Sequence, residues 1–170
     1  HIADYMVTSE LSDDFKSARV NAKISLANLG NITQKSLVAV LKIDGKEAKA
    51  SVKKLAKGDT LTVMINQDIA EPKLWSAEKP NLYPYTIELQ DVQGNTIEKF
   101  EYHLGLKKVE VVGDVFKING KNVKLRGVNL HDHHPRTGRY VDNATLEKDI
   151  ALMKQANINW LRTSHYPDTP

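Results

Sequence analysis

The sequence predicts a mainly β fold, in which an immunoglobulin-like antiparallel β-sandwich precedes a truncated β-α-β piece of a (β/α)8 barrel. Three observations predict this architecture. Apolar and polar residues alternate through the first two thirds of the chain, turn signals separate the alternating runs, and a strand-helix-strand pattern closes the sequence. The predicted boundary assigns residues 1–112 to the sandwich and residues 113–170 to the barrel piece.

The sandwich strands are predicted from period-two alternation, which places every second side chain on the same face. Glycine-containing turns such as Asp44-Gly45 separate the runs, and no helical pattern interrupts them. Short strands with regularly spaced turns favour an immunoglobulin-like sandwich. The alternating apolar runs are Val20–Leu26, Leu37–Ile43, Leu61–Ile65, Tyr85–Leu89, Phe100–Tyr102 and Val109–Val111.

The pattern changes after the predicted Asn119-Gly120 hairpin. A strand at Val123–Asn129, a helix at Ala144–Ala156 with Asp142 or Asn143 as its cap, and a strand at Ile158–Arg162 follow in order. Two strands joined by a helix are expected to lie parallel with a right-handed crossover, and parallel strands need cover on both faces. A complete (β/α)8 barrel needs ~250 residues, so we expect only its opening here.

Composition excludes several functional classes. The chain has 170 residues, of which 41% are hydrophobic and 26% charged, and its net charge is +3 with no dense basic run. We therefore expect no nucleic-acid partner and no membrane partner. No apolar stretch approaches the ~18 residues of a membrane span, and no signal peptide is visible in this span. A soluble protein is expected, and its compartment, cytoplasmic or periplasmic, stays open. The absence of cysteine excludes disulfides, zinc thiolate sites and cysteine nucleophiles.

Two polar clusters follow directly after the two predicted parallel strands. In such folds the loops at the carboxyl ends of the strands carry the site. The two clusters contain His131 and His165, which we expect to lie close together because strands joined by a right-handed crossover usually lie side by side. A neutral imidazole offers one donor and one acceptor, which suits a sugar hydroxyl. Arg162, near the end of the second strand, could orient a carboxylate through paired hydrogen bonds.

Other interpretations of these residues stay open. The crowded group His131, His133 and His134 could instead form a metal site of a metal-dependent hydrolase. Either histidine could be purely structural. The segment Leu74–Tyr83 could form an aromatic sugar platform, although packing at the edge of the sandwich is the stronger expectation.

Several motifs resemble the β-galactosidase branch of glycoside hydrolase family 2. The resemblance covers essentially the whole chain and is most specific from residue 116 onward. It rests on Lys117–Lys121, Leu125–Pro135, Asp149–Asn159 and Arg162–Pro167, with support from Leu74–Ser76, Pro80–Tyr83 and Gly105.

The resemblance implies a modular enzyme with a jelly-roll, an immunoglobulin-like sandwich and a catalytic barrel. It implies that His131 and His165 bind the terminal galactosyl unit, that Arg162 lies near the nucleophile, and that Asn129 and Asp132 support the site. Both catalytic glutamates are expected outside this chain, so no catalytic residue is expected within it. No metal ligand and no cofactor are expected within it either.

The expected substrate of the full-length protein is therefore a terminal β-D-galactoside, cleaved with retention, while this fragment alone is expected to be inactive. A β-glucuronidase or β-mannosidase of the same family is an alternative, because Leu130 and Asp132 stand where many members carry Arg and Glu. A non-catalytic carbohydrate-binding or interaction module is a second alternative. Barrel strands without neighbours would expose their edges, so self-association through them is also expected.

Overall fold

The computed structural model describes residues 1–166, and Pro167, the last residue of the motif that begins at Arg162, lies outside them. The chain is mainly β, with an immunoglobulin-like sandwich followed by the start of a barrel. It divides into two compact units. The first contains residues 1–112 and 117–121, and the second contains residues 113–116 and those from 122 onward.

The first unit contains seven strands in two antiparallel sheets. One sheet has the order β1-β2-β5 and the other the order β4-β3-β6-β7, so that the chain crosses between the sheets after β2, after β4 and after β5. This is the arrangement of a β-sandwich. The strands are β1 (Ile2–Leu11), β2 (Ser17–Ala27), β3 (Gln34–Ile43), β4 (Lys46–Leu55), β5 (Thr60–Ala70), β6 (Tyr83–Gln90) and β7 (Thr96–Leu104).

The core of the sandwich is built from the alternating apolar faces that the sequence predicts. All four predicted side chains of β2 are fully buried, and so are Ile87 and Leu89 of β6. The pattern weakens at the periphery, where Leu61 is 39% exposed and Val111 is 69% exposed. The predicted run Val109–Val111 lies outside the two sandwich sheets, so its assignment to the sandwich is wrong.

The sequence-based prediction names no strand for residues 46–55, yet β4 pairs with β3 along its whole length. Its inward positions begin with Ala48 and Ala50, whose small side chains give little contrast with the intervening lysines. The turn at Asp44 and Gly45, where both residues have positive φ, is where expected and joins the two strands.

The segment around Trp75 packs against its own unit. An added Cβ at Gly105 would lie 2.9 Å from the indole, and the Lys107 ammonium lies 4.0 Å from the ring centroid. Asn119 donates from its side-chain amide to the Trp75 carbonyl over 2.9 Å. These contacts to the ring and the backbone of Trp75 indicate that the segment packs against its own unit rather than forming an open sugar platform.

Three short strands form a separate sheet in the order β10-β9-β8: β8 (Val109–Val112), β9 (Val115–Ile118) and β10 (Lys121–Asn122). Asn119 and Gly120 both have positive φ and make the predicted turn between β9 and β10. The second arm of this hairpin ends at Asn122.

The second unit contains β11 (Gly127–Leu130), α1 (Asn143–Gln155) and β12 (Trp160–Thr163). The two strands are parallel, as predicted, although β11 begins at Gly127 rather than at Val123. Asp142 caps the helix by accepting a hydrogen bond from the Thr145 N–H over 2.9 Å. Leu146 and Met153 of the helix are half-buried.

Candidate functional site

The parallel register of β11 and β12 positions the candidate residues. Asn129 lies directly beside Arg162 in the register, so both share one face of the two-stranded sheet. Arg162 is exposed, and its guanidinium makes no hydrogen bond or ion pair with any residue of the described range 1–166. This face therefore presents an amide and a free guanidinium side by side.

His131 and His165 come together at the carboxyl ends of these strands. His131 follows the last residue of β11, and His165 lies two residues beyond β12. Their ring centroids are 5.5 Å apart with an interplanar angle of 82°, which is an edge-to-face contact. The structure thus brings together the two histidines that strand order alone places near each other.

The loops that carry the histidines are connected by a side chain that the sequence-based prediction did not assign to the site. The backbone N–H of Asp132 donates to the phenol oxygen of Tyr166 over 3.0 Å. The Tyr166 ring centroid also lies 6.3 Å from that of His131. The sequence signal for this residue was its place directly after His165, which alone does not indicate a partner.

A cleft of about 320 Å³ opens between these loops. Asp132 is the one carboxylate among its lining residues, whereas three imidazoles, a guanidinium and a phenol supply hydrogen-bond donors and acceptors. Such a lining suits a neutral, hydroxyl-rich ligand better than an apolar one. The cleft is lined by His131, Asp132, His133, Arg139, His165 and Tyr166. Asn129 and Arg162 are not among the lining residues.

His134 has a structural position in the loop that follows. Its Nδ1 accepts hydrogen bonds from the backbone N–H groups of Arg136 and Thr137, each over 3.3 Å. Its backbone pairs with that of Gly138 in both directions, over 2.7 and 3.0 Å. Within residues 1–166, no group of three or more His, Cys, Asp or Glu side chains is arranged to hold a metal ion. Among these residues, His131, His133 and His134 are not arranged as such a group.

Asn159 fixes the start of the second strand. Its Oδ1 accepts from the Arg126 N–H over 2.8 Å, and its Nδ2 donates to the Lys124 carbonyl over 3.1 Å. The side-chain amide thereby binds the segment immediately before β11. The sequence-based prediction quoted this residue within a motif without giving it a role.

Comparison with known proteins decides the family. The model of glycosyl hydrolases family 2 matches residues 1–107, and the model of the family 2 TIM barrel domain matches residues 109–170. The chain belongs to glycosyl hydrolase family 2. The histidine pair and the cleft lie in the part of this family 2 chain that matches the TIM barrel domain.

Two curated relatives match almost the whole family 2 chain. A beta-galactosidase of Pseudoalteromonas haloplanktis is 36% identical over 99% of this chain, and a beta-galactosidase of Pectobacterium atrosepticum is 32% identical over 100% of it. Among solved structures, a beta-glucuronidase of Bacteroides uniformis is 23% identical, with a TM-score of 0.85 over 97% of this chain and 20% of its own. That structural likeness shows the fold alone.

The chain spans 17% of the length of each of these curated beta-galactosidases. None of the helices found within residues 1–166 has the length and apolar character needed to cross a membrane.

Proposed function

We propose that this chain is part of a longer retaining glycosidase that cleaves terminal β-D-galactosides, and that His131 and His165 bind hydroxyl groups of the terminal sugar. The observation that carries the proposal is the edge-to-face contact of these rings, 5.5 Å between centroids, beside a cleft at the ends of parallel strands. Sites of barrel enzymes lie at this end of the strands.

The chemistry of the cleft supports a sugar ligand. Each neutral imidazole can donate one hydrogen bond and accept another, so the pair can distinguish the orientations of sugar hydroxyl groups without introducing a charge. We assign Asp132, which lines the same cleft, a supporting role beside the pair. Asn129 and Arg162 are adjacent in the register, and we assign Arg162 the role of orienting a catalytic carboxylate through paired hydrogen bonds.

Retaining hydrolysis needs two carboxyl groups about 5–5.5 Å apart. One acts as the nucleophile and forms a glycosyl-enzyme, while the other protonates the leaving oxygen and then activates water. Asp132 is the single acid among the residues that line the cleft. We therefore assign both catalytic carboxylates to segments of the longer protein outside this chain, and we expect this chain alone to be inactive.

The choice of a galactoside rests on the two curated relatives, both named beta-galactosidases and both more than 30% identical over nearly the whole chain. The test is to assay the longer protein on nitrophenyl β-galactoside, β-glucuronide and β-mannoside. We expect turnover of the galactoside above the other two. Preference for the glucuronide or mannoside would refute the substrate assignment, and turnover by the 170-residue chain alone would refute the placement of the carboxylates.

A carbohydrate-binding module without catalysis would behave differently in a calorimetric titration of the chain with galactose and lactose. We expect no binding tighter than the millimolar range, because two histidines form only part of a sugar site. Their few contacts must offset the whole entropic cost of ordering the ligand. Tighter binding by the isolated chain would favour the binding module.

A further inference from the structure

We propose that Tyr166 is a positioning residue that holds His131 opposite His165, an inference that rests on the sugar-binding role proposed for these histidines. Tyr166 lies on the loop after β12, whereas Asp132, whose N–H it accepts, lies 34 positions earlier on the loop after β11. The bond therefore joins the two loops that carry the candidate site.

The backbone ladder of the strand pair ends just before the histidines. The last pair in the parallel register is Leu130 with Thr163. One further backbone hydrogen bond follows, in which the Ser164 N–H donates to the Leu130 carbonyl over 2.8 Å. Ser164 is also buried. Up to this point, the relative position of the loops is fixed by the strands.

Tyr166 supplies a second link on the far side of the histidines. His131 lies between Leu130 and Asp132 in the chain, just as His165 lies between Ser164 and Tyr166. The two histidines therefore lie between two hydrogen bonds that connect the loops. The Leu130–Ser164 bond comes directly before them in the chain, and the Asp132–Tyr166 bond of 3.0 Å comes directly after them. At this position the phenol oxygen accepts a backbone N–H hydrogen bond, as a backbone carbonyl accepts one in a regular sheet.

The Tyr166 ring adds a packing restraint to this link. Its centroid lies 6.3 Å from that of His131, with an interplanar angle of 53°. His131 is thus flanked by two rings, and the peptide that follows it is fixed by a hydrogen bond. Fixing a binding group in its productive orientation before the ligand arrives lowers the ordering cost of binding.

The test is a double-mutant cycle in the longer protein with nitrophenyl β-galactoside as the probe. Tyr166→Phe removes one oxygen and keeps the ring. We expect it to lower kcat/KM about three- to tenfold, the value of one neutral hydrogen bond. In a His131→Ala background the same substitution should change kcat/KM by less than about twofold, because the group being positioned is gone. Tyr140→Phe, which alters an exposed tyrosine outside the cleft lining, is the matched control.

An unchanged kcat/KM in Tyr166→Phe would overturn the inference. The same loss with and without His131 would also overturn it, since Tyr166 would then act independently of that side chain.

Hydrogen exchange at the Asp132 amide, measured by mass spectrometry on the same proteins, separates this inference from the proposed function. If the wild type turns over no galactoside, the proposed function fails. Faster exchange at Asp132 in Tyr166→Phe but not in Tyr140→Phe would still establish the link between the loops. Unchanged exchange would overturn it.

Discussion

The indole of Trp160 lies directly against the backbone of Gly127, its register partner in the parallel strand pair. A Cβ built on Gly127 would lie 3.2 Å from Trp160 Cζ3 and closer still to Cε3. Trp160 is nevertheless 45% exposed. The glycine is required here by close approach of a ring, not by backbone conformation.

Gly127→Ala is therefore expected to lower the free energy of unfolding by about 1–3 kcal/mol, the typical cost of overpacking. Chemical denaturation followed by circular dichroism measures the effect. In a Trp160→Ala background the ring is absent, so the same glycine substitution should cost less than about 0.5 kcal/mol. An equal cost in both backgrounds would show that the ring contact is not the cause.

Asn159→Asp tests the link between the start of β12 and the segment before β11. The substitution replaces the amide that donates to the Lys124 carbonyl with a second acceptor. We expect a loss of about 1–2 kcal/mol in unfolding free energy at pH 7, since the carbonyl loses a partner and faces a negative oxygen. Asn122→Asp is the control, because the Asn122 side chain makes no hydrogen bond within residues 1–166. A similar loss in both variants would contradict this role for Asn159.

Glu88 gives the sandwich a predictable pH dependence. Burial alone would raise the pKa of this carboxyl, but hydrogen bonds from Lys42, Gln90 and Thr96 outweigh burial and hold the pKa below its ordinary value of 4.5. The Lys42 ammonium donates over 2.8 Å and the Gln90 amide over 2.6 Å. Because the pKa is lower in the folded state, the stabilisation is present above pH 4.5 and is lost as the pH falls through the folded value.

Glu88→Gln should therefore cost about 1–3 kcal/mol in unfolding free energy at pH 7. The difference from the wild type should shrink below pH 4.5, as Glu88 becomes protonated in the folded protein too. Urea titrations across this range measure the effect. Glu101→Gln, at an exposed ion pair with Lys99, should cost less than about 0.5 kcal/mol. A cost for Glu88→Gln that does not vary with pH would exclude the carboxylate as its source.

Self-association of the 170-residue chain is the expected consequence of its second unit. Within the described residues β11 and β12 pair only with each other, and Ile150 and Leu152 of the helix are 51% and 52% exposed. Leu152→Lys should shift light scattering toward the monomer, whereas Leu29→Lys, at an exposed position of the sandwich, should not. A strict monomer in the wild type, with slow hydrogen exchange from Gly127 to Thr163, would contradict this prediction.

The sandwich and the parallel strand pair could be predicted because both follow from local patterns. Alternating apolar residues indicate strands with one buried face, and the strand-helix-strand order indicates a parallel pair. Core positions such as Ile24 and Leu41 follow directly from alternation. The strand β4 could not be identified, because alanines at its inward positions Ala48 and Ala50 give a weak apolar signal.

The proximity of His131 and His165 could be predicted for the same topological reason, since residues at the ends of adjacent parallel strands must be neighbours. The bonds of Tyr166 and Asn159 could not be predicted. Each joins a side chain to the backbone more than 30 positions away, and its geometry depends on loop paths that no periodic pattern specifies.

The kcat/KM of the longer protein for nitrophenyl β-D-galactoside, compared among wild type, His131→Ala and His165→Ala, tests the sugar-binding role of the histidine pair most directly. Hydrogen bonds that strengthen in the transition state are worth on the order of a hundredfold or more in rate, so each variant should lose on the order of a hundredfold while Tyr140→Phe stays unchanged. Values for both histidine variants within about twofold of the wild type would contradict that role.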